Sequence, residues 1–205
     1  MKNRPTDVND SLVVLADAAK CTGCTRCELA CRAARHGLDI KAAARLRQEL
    51  EPRVHVIKKD KLKMPVQCRQ CANAPCAAVC PTQALIQPDK QGGVIMREEY
   101  CAGCGICGMA CPFGAITMTR AYFDEADKAL FKPGDTPCRL AARCDQCAEW
   151  RAGNGKEVTA CQEACPSGVF SLITVSELHQ RQQADSRAEG PGSRPAGSAP
   201  ATVSK

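Results

Sequence analysis

Short apolar runs separated by polar stretches follow one another along most of the chain, and each run is long enough for one strand only. None approaches the roughly 18 consecutive apolar residues of a membrane span. Residues 89–93 predict a turn between two of the runs. The pattern therefore predicts short strands and no membrane-spanning segment; the strands are expected at residues 12–16, 54–57, 84–86, 94–96, 115–118, 129–132 and 169–175.

A helical period occurs in the segment after the first group of cysteines. The apolar positions that recur every four residues there are Leu38, Ala42, Leu46 and Leu50. They predict one face of a helix over residues 38–50. Lys41 and Arg45 fall on another face, which is either a solvated surface or a docking surface for an acidic partner. The four lysines between residues 58 and 63 predict a basic loop.

Sixteen of the seventeen cysteines fall into four groups of similar spacing. The third group has the C-x2-C-x2-C-x3-C-P spacing of bacterial ferredoxins, which ligates [4Fe-4S] clusters. In the first group Arg32 replaces the proline, and the second and fourth groups lengthen the third interval. We call these groups motif one (Cys21, Cys24, Cys27, Cys31), motif two (Cys68, Cys71, Cys76, Cys80), motif three (Cys101, Cys104, Cys107, Cys111) and motif four (Cys144, Cys147, Cys161, Cys165).

The spacing also predicts how the thiols are shared among clusters. Three thiolates of one loop face a common cube, and the fourth serves the neighbouring cluster. Motifs two and three lie closest in sequence, so they predict one ferredoxin unit, and motifs one and four complete a second unit around it. The predicted ligand sets are Cys21, Cys24, Cys27 with Cys165; Cys144, Cys147, Cys161 with Cys31; Cys68, Cys71, Cys76 with Cys111; and Cys101, Cys104, Cys107 with Cys80.

The predicted fold is accordingly α+β, with two nested two-cluster ferredoxin units of short hairpins and helices. The inner unit covers residues 68–118, and the outer unit covers 12–67 and 119–176. Residues 1–11 are expected to be flexible, and 177–205 to form a short helix and then a disordered tail rich in Gly, Pro, Ser and Ala. Gly103, Gly105 and Gly108 are expected at positive φ around the cluster. Trp150 and residues 153–155 fill a loop in the long interval of motif four.

Two other uses of cysteine fit the sequence less well. Zinc ribbons use pairs of C-x2-C and leave the regular x3-Cys ends unexplained. A disulfide framework needs an oxidising compartment. No export signal is visible, because the apolar run after the polar start is brief and is broken by Asp17, so a cytoplasmic location is expected. Cys138 lies outside the motif spacings and is expected to be a packed or free thiol rather than a ligand.

Composition and charge change this picture in two ways. Aromatic residues make up only 3% of the 205 residues, so a conventional core would be thin and clusters must contribute to folding. The formal net charge of +6 omits the clusters; four oxidised clusters, each about −2 with its thiolates, make it about −2. Residues 32–63 carry ten Lys or Arg against four Asp or Glu, so the basic character is local. Nucleic-acid binding is not expected, because stacking aromatics and binding motifs are missing there.

The chain resembles the four-cluster [4Fe-4S] ferredoxin-like electron-transfer subunits over roughly residues 12–176. The resemblance lies in Val13-Val14-Leu15-Ala16-Asp17 before motif one and in the three further motifs. Such subunits accompany molybdenum- or tungsten-pterin enzymes such as formate dehydrogenase, dimethyl sulfoxide reductase and aldehyde oxidoreductase, and also carbon monoxide dehydrogenase and hydrogenases. The resemblance implies a catalytic oxidoreductase partner, with tungsten aldehyde oxidoreductase preferred, and a flavin subunit or ferredoxin as the other partner. Self-association is left open.

Full cysteine ligation argues against catalysis at the clusters. Four thiolates leave no open iron for a substrate, so one-electron relay is the expected role. A radical-SAM site needs C-x3-C-x2-C, and Ala34 stands where its third cysteine would be. The expected function is a non-catalytic electron-transfer subunit with four [4Fe-4S] clusters. The alternative is a structural or regulatory iron-sulfur protein that exchanges no electrons.

Overall fold

The computed structural model describes residues 12–47, 50–88, 93–120, 139–178 and 180–181. The strands in these ranges are β1 (Leu12–Ala16), β2 (His55–Lys59), β3 (Leu62–Val66), β4 (Leu85–Ile86), β5 (Ile95–Met96), β6 (Thr117–Arg120), β7 (Arg139–Ala142) and β8 (Phe170–Thr174). The helices are α1 (Arg26–His36), α2 (Ile40–Arg45), α3 (Pro75–Ala78), α4 (Ile106–Ala110), α5 (Ala148–Asn154) and α6 (Ala160–Glu163). No helix in the described ranges is long and apolar enough to cross a membrane.

The strands form four antiparallel pairs, and two of these pairs join distant parts of the chain. β1 pairs with β8, with Leu12 opposite Thr174 and Ala16 opposite Phe170. The strand that precedes motif one therefore lies beside the strand that follows motif four. β6 and β7 pair in the same way across the segment between motifs three and four. The hairpins β2–β3 and β4–β5 are local.

Two main clusters of buried side chains share their volume with cysteines. The first combines Val14, Val54, Val169 and Phe170 with cysteines of motifs one, two and four. The second combines aliphatic and alanine side chains, including residues of the β4–β5 and β6–β7 pairs, with cysteines of motifs two and three. Its buried members are Ala74, Cys76, Leu85, Val94, Cys107, Ile116 and Ala141. The folded chain thus is a small mixed helix and strand structure in which thiols replace the missing aromatic core.

Most predicted strands are present within two residues of their expected bounds. The strand expected at 129–132, the N-terminal segment 1–11, Cys138 and the tail 187–205 lie outside the described residues. Residues 175–178 and 180–181 are helical.

Two predictions about local structure upstream of motif two were wrong. Residues 58–63 are not a loop, since they form the ends and turn of the β2–β3 hairpin around Asp60 at φ 51°. The helix expected over 38–50 is only α2, at Ile40–Arg45. Ala43 is its buried residue, whereas Leu46 is exposed. The face of α2 that carries Ala43 packs against α1. The apolar positions that recur every four residues therefore predicted the wrong face of the helix as the buried one.

Two elements near motifs one and four also differ from expectation. The interval 148–154 is helical rather than a loop, and Gly155 ends that helix at φ 61°. Helix α1 extends to His36 because Arg32 follows Cys31. In the other three motifs a proline follows the last cysteine, and a proline removes the N–H that would continue a helix.

Candidate metal centre

Four cysteines from the two ends of the cluster region line one cleft. Cys21, Cys24 and Cys27 of motif one face Cys165 of motif four across a space of about 300 Å³. Val56, Pro65, Val169 and Phe170 supply its apolar lining. β1 and β8 hold the two motifs together at this point. The same four cysteines form a ligand set predicted from the sequence.

A second cleft lies between motifs two and three. Cys101, Cys104 and Cys107 line it together with Cys80, and its volume is about 310 Å³. Its apolar lining comes from strands β4, β5, β6 and β7, through Leu85, Met96, Met118 and Ala141. The residues brought together here are again those of one predicted set.

The remaining eight cysteines fall into two groups, because in each group some cysteines raise the pKa of others. Burial, and then the neighbouring thiolates of Cys68 and Cys111, raise the pKa of Cys76 to about 11. The same two thiolates also raise the pKa of Cys71, again after the effect of burial. In motif four, burial raises the pKa of Cys144, and the thiolates of Cys161 and Cys31 raise it further.

Cys147 completes the second of these groups. Burial, together with the thiolates of Cys31 and Cys161, raises its pKa to about 12. In motif one, burial and then Cys161 raise the pKa of Cys27 to about 12. The cysteines of motif one that line the first cleft and the group that contains Cys161 are therefore neighbours. As free thiols these side chains are protonated at neutral pH, and metal binding must release their protons.

The last cysteine of every motif accepts a backbone hydrogen bond. In motifs two, three and four the donor follows shortly after the Cys-Pro turn: Leu85 N donates to Cys80 Sγ at 3.5 Å, Ala115 N to Cys111 Sγ at 3.4 Å and Val169 N to Cys165 Sγ at 3.4 Å. In motif one the chain continues as α1, and the donor is instead Arg53 N, at 3.2 Å from Cys31 Sγ. N–H groups aimed at sulfur stabilise a thiolate bound to iron, so the donor geometry fits [4Fe-4S] ligation.

The second residue of the first C-x2-C interval has a positive φ in all four motifs. The residues are Gly23 at 75°, Gln70 at 49°, Gly103 at 68° and Gln146 at 56°. At Gly103 an added Cβ would lie 2.4 Å from Arg139 O, so β7 itself requires glycine in the loop of motif three. Gly105 also has positive φ, at 75°. The expectation for Gly108 was wrong, because it lies inside helix α4.

None of the sixteen motif cysteines forms a disulfide bond. No group of three or more His, Cys, Asp or Glu side chains in the described ranges surrounds a point where a single metal ion could bind.

Sequence reasoning missed a buried arginine between motifs two and four. Arg143 is 7% exposed. Its Nη1 donates to Cys144 O at 2.9 Å and lies 3.9 Å from Cys68 Sγ, and its Nη2 donates to Val94 O. The signal in the sequence is a charged residue that ends the otherwise apolar run Leu140-Ala141-Ala142 directly before a ligand motif.

A second missed group is an ion network beside motif four. Asp145 Oδ2 lies 2.9 Å from Arg35 Nη1 and 2.9 Å from Arg53 Nη1. Burial alone would raise the pKa of Asp145, but the two guanidinium groups outweigh it and hold that pKa below its usual value. Arg53 Nη2 also reaches Glu98 Oε1 at 3.6 Å, just before motif three. The network thus connects α1, motif four and the approach to motif three.

Residues 60–129, which contain motifs two and three, match the model of the 4Fe-4S dicluster domain family. This match covers motifs two and three, whereas motifs one and four lie outside it. The chain is 37% identical over 169 residues to an iron-sulfur protein of Rhodospirillum rubrum, covering 82% of this chain and 85% of the relative.

Two Escherichia coli K12 proteins are also similar along most of their length. Electron transport protein HydN is 36% identical over 168 residues, which cover 82% of this chain and 90% of HydN. Formate hydrogenlyase subunit 2 is 31% identical over 180 residues, which cover 80% of this chain and 83% of that subunit. The chain belongs to this family of ferredoxin-like iron-sulfur electron-transport proteins, and its cofactors are [4Fe-4S] clusters.

Proposed function

We propose that the chain is a non-catalytic electron-transfer subunit that holds four [4Fe-4S] clusters and passes single electrons between a catalytic oxidoreductase subunit and a second redox protein. The observation that carries the proposal is the grouping of cysteines in the two clefts, each lined by three thiols of one motif and the fourth thiol of another. Crossed ligation of this kind is the rule for two-cluster ferredoxins.

The ligand sets we propose are the four sets expected from the spacing. The clefts support two of them. The effect of Cys68 and Cys111 on the pKa of Cys76 and the effect of Cys161 and Cys31 on the pKa of Cys144 support the other two. The nested arrangement of an inner and an outer ferredoxin unit belongs to the same proposal. The pairing of β1 with β8 supports it, because that pairing joins the strand before motif one to the strand after motif four.

The chain's own residues tune the sites rather than react in them. When bound, each cluster supplies one-electron redox chemistry. Four thiolates per set leave no iron open to a substrate, so the chain offers no catalytic centre. The backbone N–H groups of Arg53, Leu85, Ala115 and Val169 stabilise negative charge on the last sulfur of each motif. The apolar linings exclude water and so limit the charge reorganisation that accompanies electron transfer.

The catalytic partner we propose is a molybdenum- or tungsten-pterin oxidoreductase subunit, with a ferredoxin or flavin subunit on the other side. Tungsten aldehyde oxidoreductase is the partner preferred from the sequence, and formate dehydrogenase is another member of the same group. The similarity to formate hydrogenlyase subunit 2 favours a formate-oxidising complex. A cytoplasmic location stays a prediction.

Co-purification tests the partner. The chain is isolated anaerobically from its native cell without a tag, and the attached chain is identified by mass spectrometry. We expect a pterin-binding catalytic subunit in stoichiometric amount. Isolation of the chain alone, or with a partner that carries no redox centre, would contradict the proposal.

Kinetic measurements distinguish the proposed electron relay from the alternative, a structural or regulatory iron-sulfur protein. A relay must accept electrons within the turnover time of its complex, whereas a purely structural cluster need not. Stopped-flow mixing with the reduced partner, followed by loss of the cluster absorbance, measures this. Reduction within milliseconds to seconds supports the relay, and clusters that stay oxidised over minutes support the structural role.

A further inference from the structure

The β2–β3 hairpin places two lysine side chains over the loop of motif one. Lys58 and Lys63 are opposite each other across the hairpin. A Cβ added to Gly23 would lie 3.0 Å from Lys63 Cδ and 3.3 Å from Lys58 Cε. Gly23 is buried beneath these aliphatic stems, although its neighbour Cys24 is exposed. The stems of the two lysines therefore lie over the loop from which Cys24 lines the cleft.

This placement of charge is unfavourable for the isolated chain. Like charges directly opposite each other on a hairpin are destabilising. The segment 58–63 holds four lysines and one aspartate. Within the described residues no carboxylate forms an ion pair with any of these lysines, whereas Lys20 nearby is paired with Asp17 at 3.2 Å. Among the residues that the structure describes, the positive charge of the hairpin is thus left without a paired carboxylate.

The other face of the hairpin carries two exposed aliphatic side chains beside a further lysine. Ile57 and Leu62 are 47% and 52% exposed there, and Lys59 lies opposite Leu62. The hairpin thus presents unpaired cations on both faces, and such a surface is suited to a transient, salt-dependent complex with an acidic protein. Its position beside the exposed Cys24 links that complex to a redox site.

We propose that this hairpin is the docking site for an acidic electron-transfer protein, and that motif one is where electrons are exchanged with it. The inference rests on the proposed function, since it assumes that a cluster is bound by motif one. In each encounter one electron passes from the reduced protein, which is oxidised, to one cluster of this chain, which is reduced. No bond is made and no proton moves. The expected docking site is the hairpin rather than Lys41 and Arg45 of helix α2.

The test compares charge variants of the iron-loaded full chain. Lys58→Met with Lys63→Met keeps the stems over Gly23 but removes both charges, and Lys58→Glu with Lys63→Glu reverses them. Lys41→Glu with Arg45→Glu is the matched control, because it makes the same charge change on α2, which packs on α1. The probe is a reduced acidic two-cluster ferredoxin, mixed by stopped flow at low and high salt. Iron content verifies that each variant is folded.

We expect salt to slow the reduction of the wild-type chain. At low salt the Met pair should slow it by about tenfold and the Glu pair by more, while the α2 pair changes it less than about twofold. The reduced viologen radical, a small cation, should still reduce every variant rapidly. These results together support the docking site.

Other outcomes separate the docking site from the relay itself. If neither ferredoxin nor viologen reduces the wild-type clusters, the proposed function fails. If viologen reduces them but ferredoxin does not, or if the ferredoxin rate is unchanged in the Met and Glu pairs, the docking site is overturned and the relay stands. Equal slowing by the α2 pair also overturns it. Lysine-dependent sedimentation with anionic phospholipid vesicles, without an effect on ferredoxin, would assign the hairpin to a lipid surface instead.

Discussion

Arg143 shows how one residue outside the cysteine motifs acts on the proposed clusters. Its guanidinium is buried between Cys68 of one proposed ligand set and Cys144 of another. Burying a cation costs free energy unless negative charge lies close to it. Cluster thiolates supply that charge, and they become more negative in net effect when the cluster is reduced. Arg143 should therefore stabilise the reduced state.

The corresponding prediction concerns a reduction potential. Arg143→Gln should lower the midpoint potential of the cluster bound by Cys68, Cys71, Cys76 and Cys111 by roughly 100 mV, the scale of losing one nearby unit charge at an effective dielectric constant of about 20. Arg143→Lys should retain most of the wild-type potential. Redox titration monitored by electron paramagnetic resonance measures both. Unchanged potentials in an Arg143→Gln chain with full iron content would contradict this role.

Cys138 lies outside the described residues, and its exclusion from the ligand sets stays a prediction. Cys138→Ala should keep the iron content and the visible spectrum of the wild-type chain, because the sixteen motif thiols already complete four sets. Cys161→Ser, a change in a proposed ligand, is the matched comparison and should lose iron. Loss of one cluster from the Cys138→Ala chain would show that motif four uses a different ligand.

Helix α1 illustrates how one substitution in a repeated motif changes an element. The other motifs end in Cys-Pro, and their helices α3, α4 and α6 have four or five residues. With Arg32 in place of proline, α1 has eleven residues. The added turns carry Arg35 to Asp145, and Arg32 Nε donates to Leu50 O at 2.6 Å. The longer helix therefore ties motif one to motif four and to the segment before β2.

Placing a proline at position 32, where the other three motifs have one, tests this account. Arg32→Pro should lower the free energy of unfolding by about 3 kcal/mol or more, because the ring clashes with the carbonyl of Glu28 and a helical hydrogen bond is lost. Arg32→Ala removes only the side-chain contacts and should cost less. Anaerobic denaturant unfolding of the iron-loaded chain compares the two. Equal stability of the two variants would show that the helix beyond Cys31 contributes nothing.

An element could be predicted from the sequence when local residues determine it, and could not when contacts with distant residues do. Strand β1 and the four cysteine motifs were predictable because an apolar run and a ligand spacing are local signals. β7 was not, since Arg139-Leu140-Ala141-Ala142 has weak strand propensity and is held by β6 and by its approach to Gly103. The β2–β3 hairpin was expected as a loop because of its lysines. Val56 and Lys58 lie on one face of β2 and Ile57 lies on the other, and the charged residue conceals the alternation that is typical of a strand. Arg53 became visible as a sulfur-facing donor only in the folded chain, 22 residues from Cys31.

At the scale of the whole molecule, the proposed nested arrangement depends on contacts between the two ends of the cluster region. The strand pair β1–β8, the cleft shared by motif one and Cys165, and the ion pair between Arg35 and Asp145 all join these ends. Each of the two cores also contains a residue from the other proposed unit. Cys68 of the inner unit packs in the first core, and Ala141 of the outer unit packs in the second. Loss of one outer ligand should therefore be felt far along the chain.

Cys31→Ser tests the crossing of ligands. We expect damage to the cluster of Cys144, Cys147 and Cys161, more than a hundred residues away, while the cluster of Cys21, Cys24 and Cys27 is kept. Cys111→Ser makes the equivalent change in motif three and should damage only the cluster of motif two. Electron paramagnetic resonance of the reduced variants distinguishes the clusters. Loss of the motif one signal in Cys31→Ser would favour ligation within each motif.

The number of clusters is the central claim, and the iron and acid-labile sulfide content of the chain tests it most directly. The chain is purified anaerobically, and iron, zinc and sulfide are measured against protein determined by amino-acid analysis. Sixteen motif thiols in four sets imply about sixteen iron and sixteen sulfide per chain. A content near eight iron per chain, or zinc in place of iron, would contradict the account.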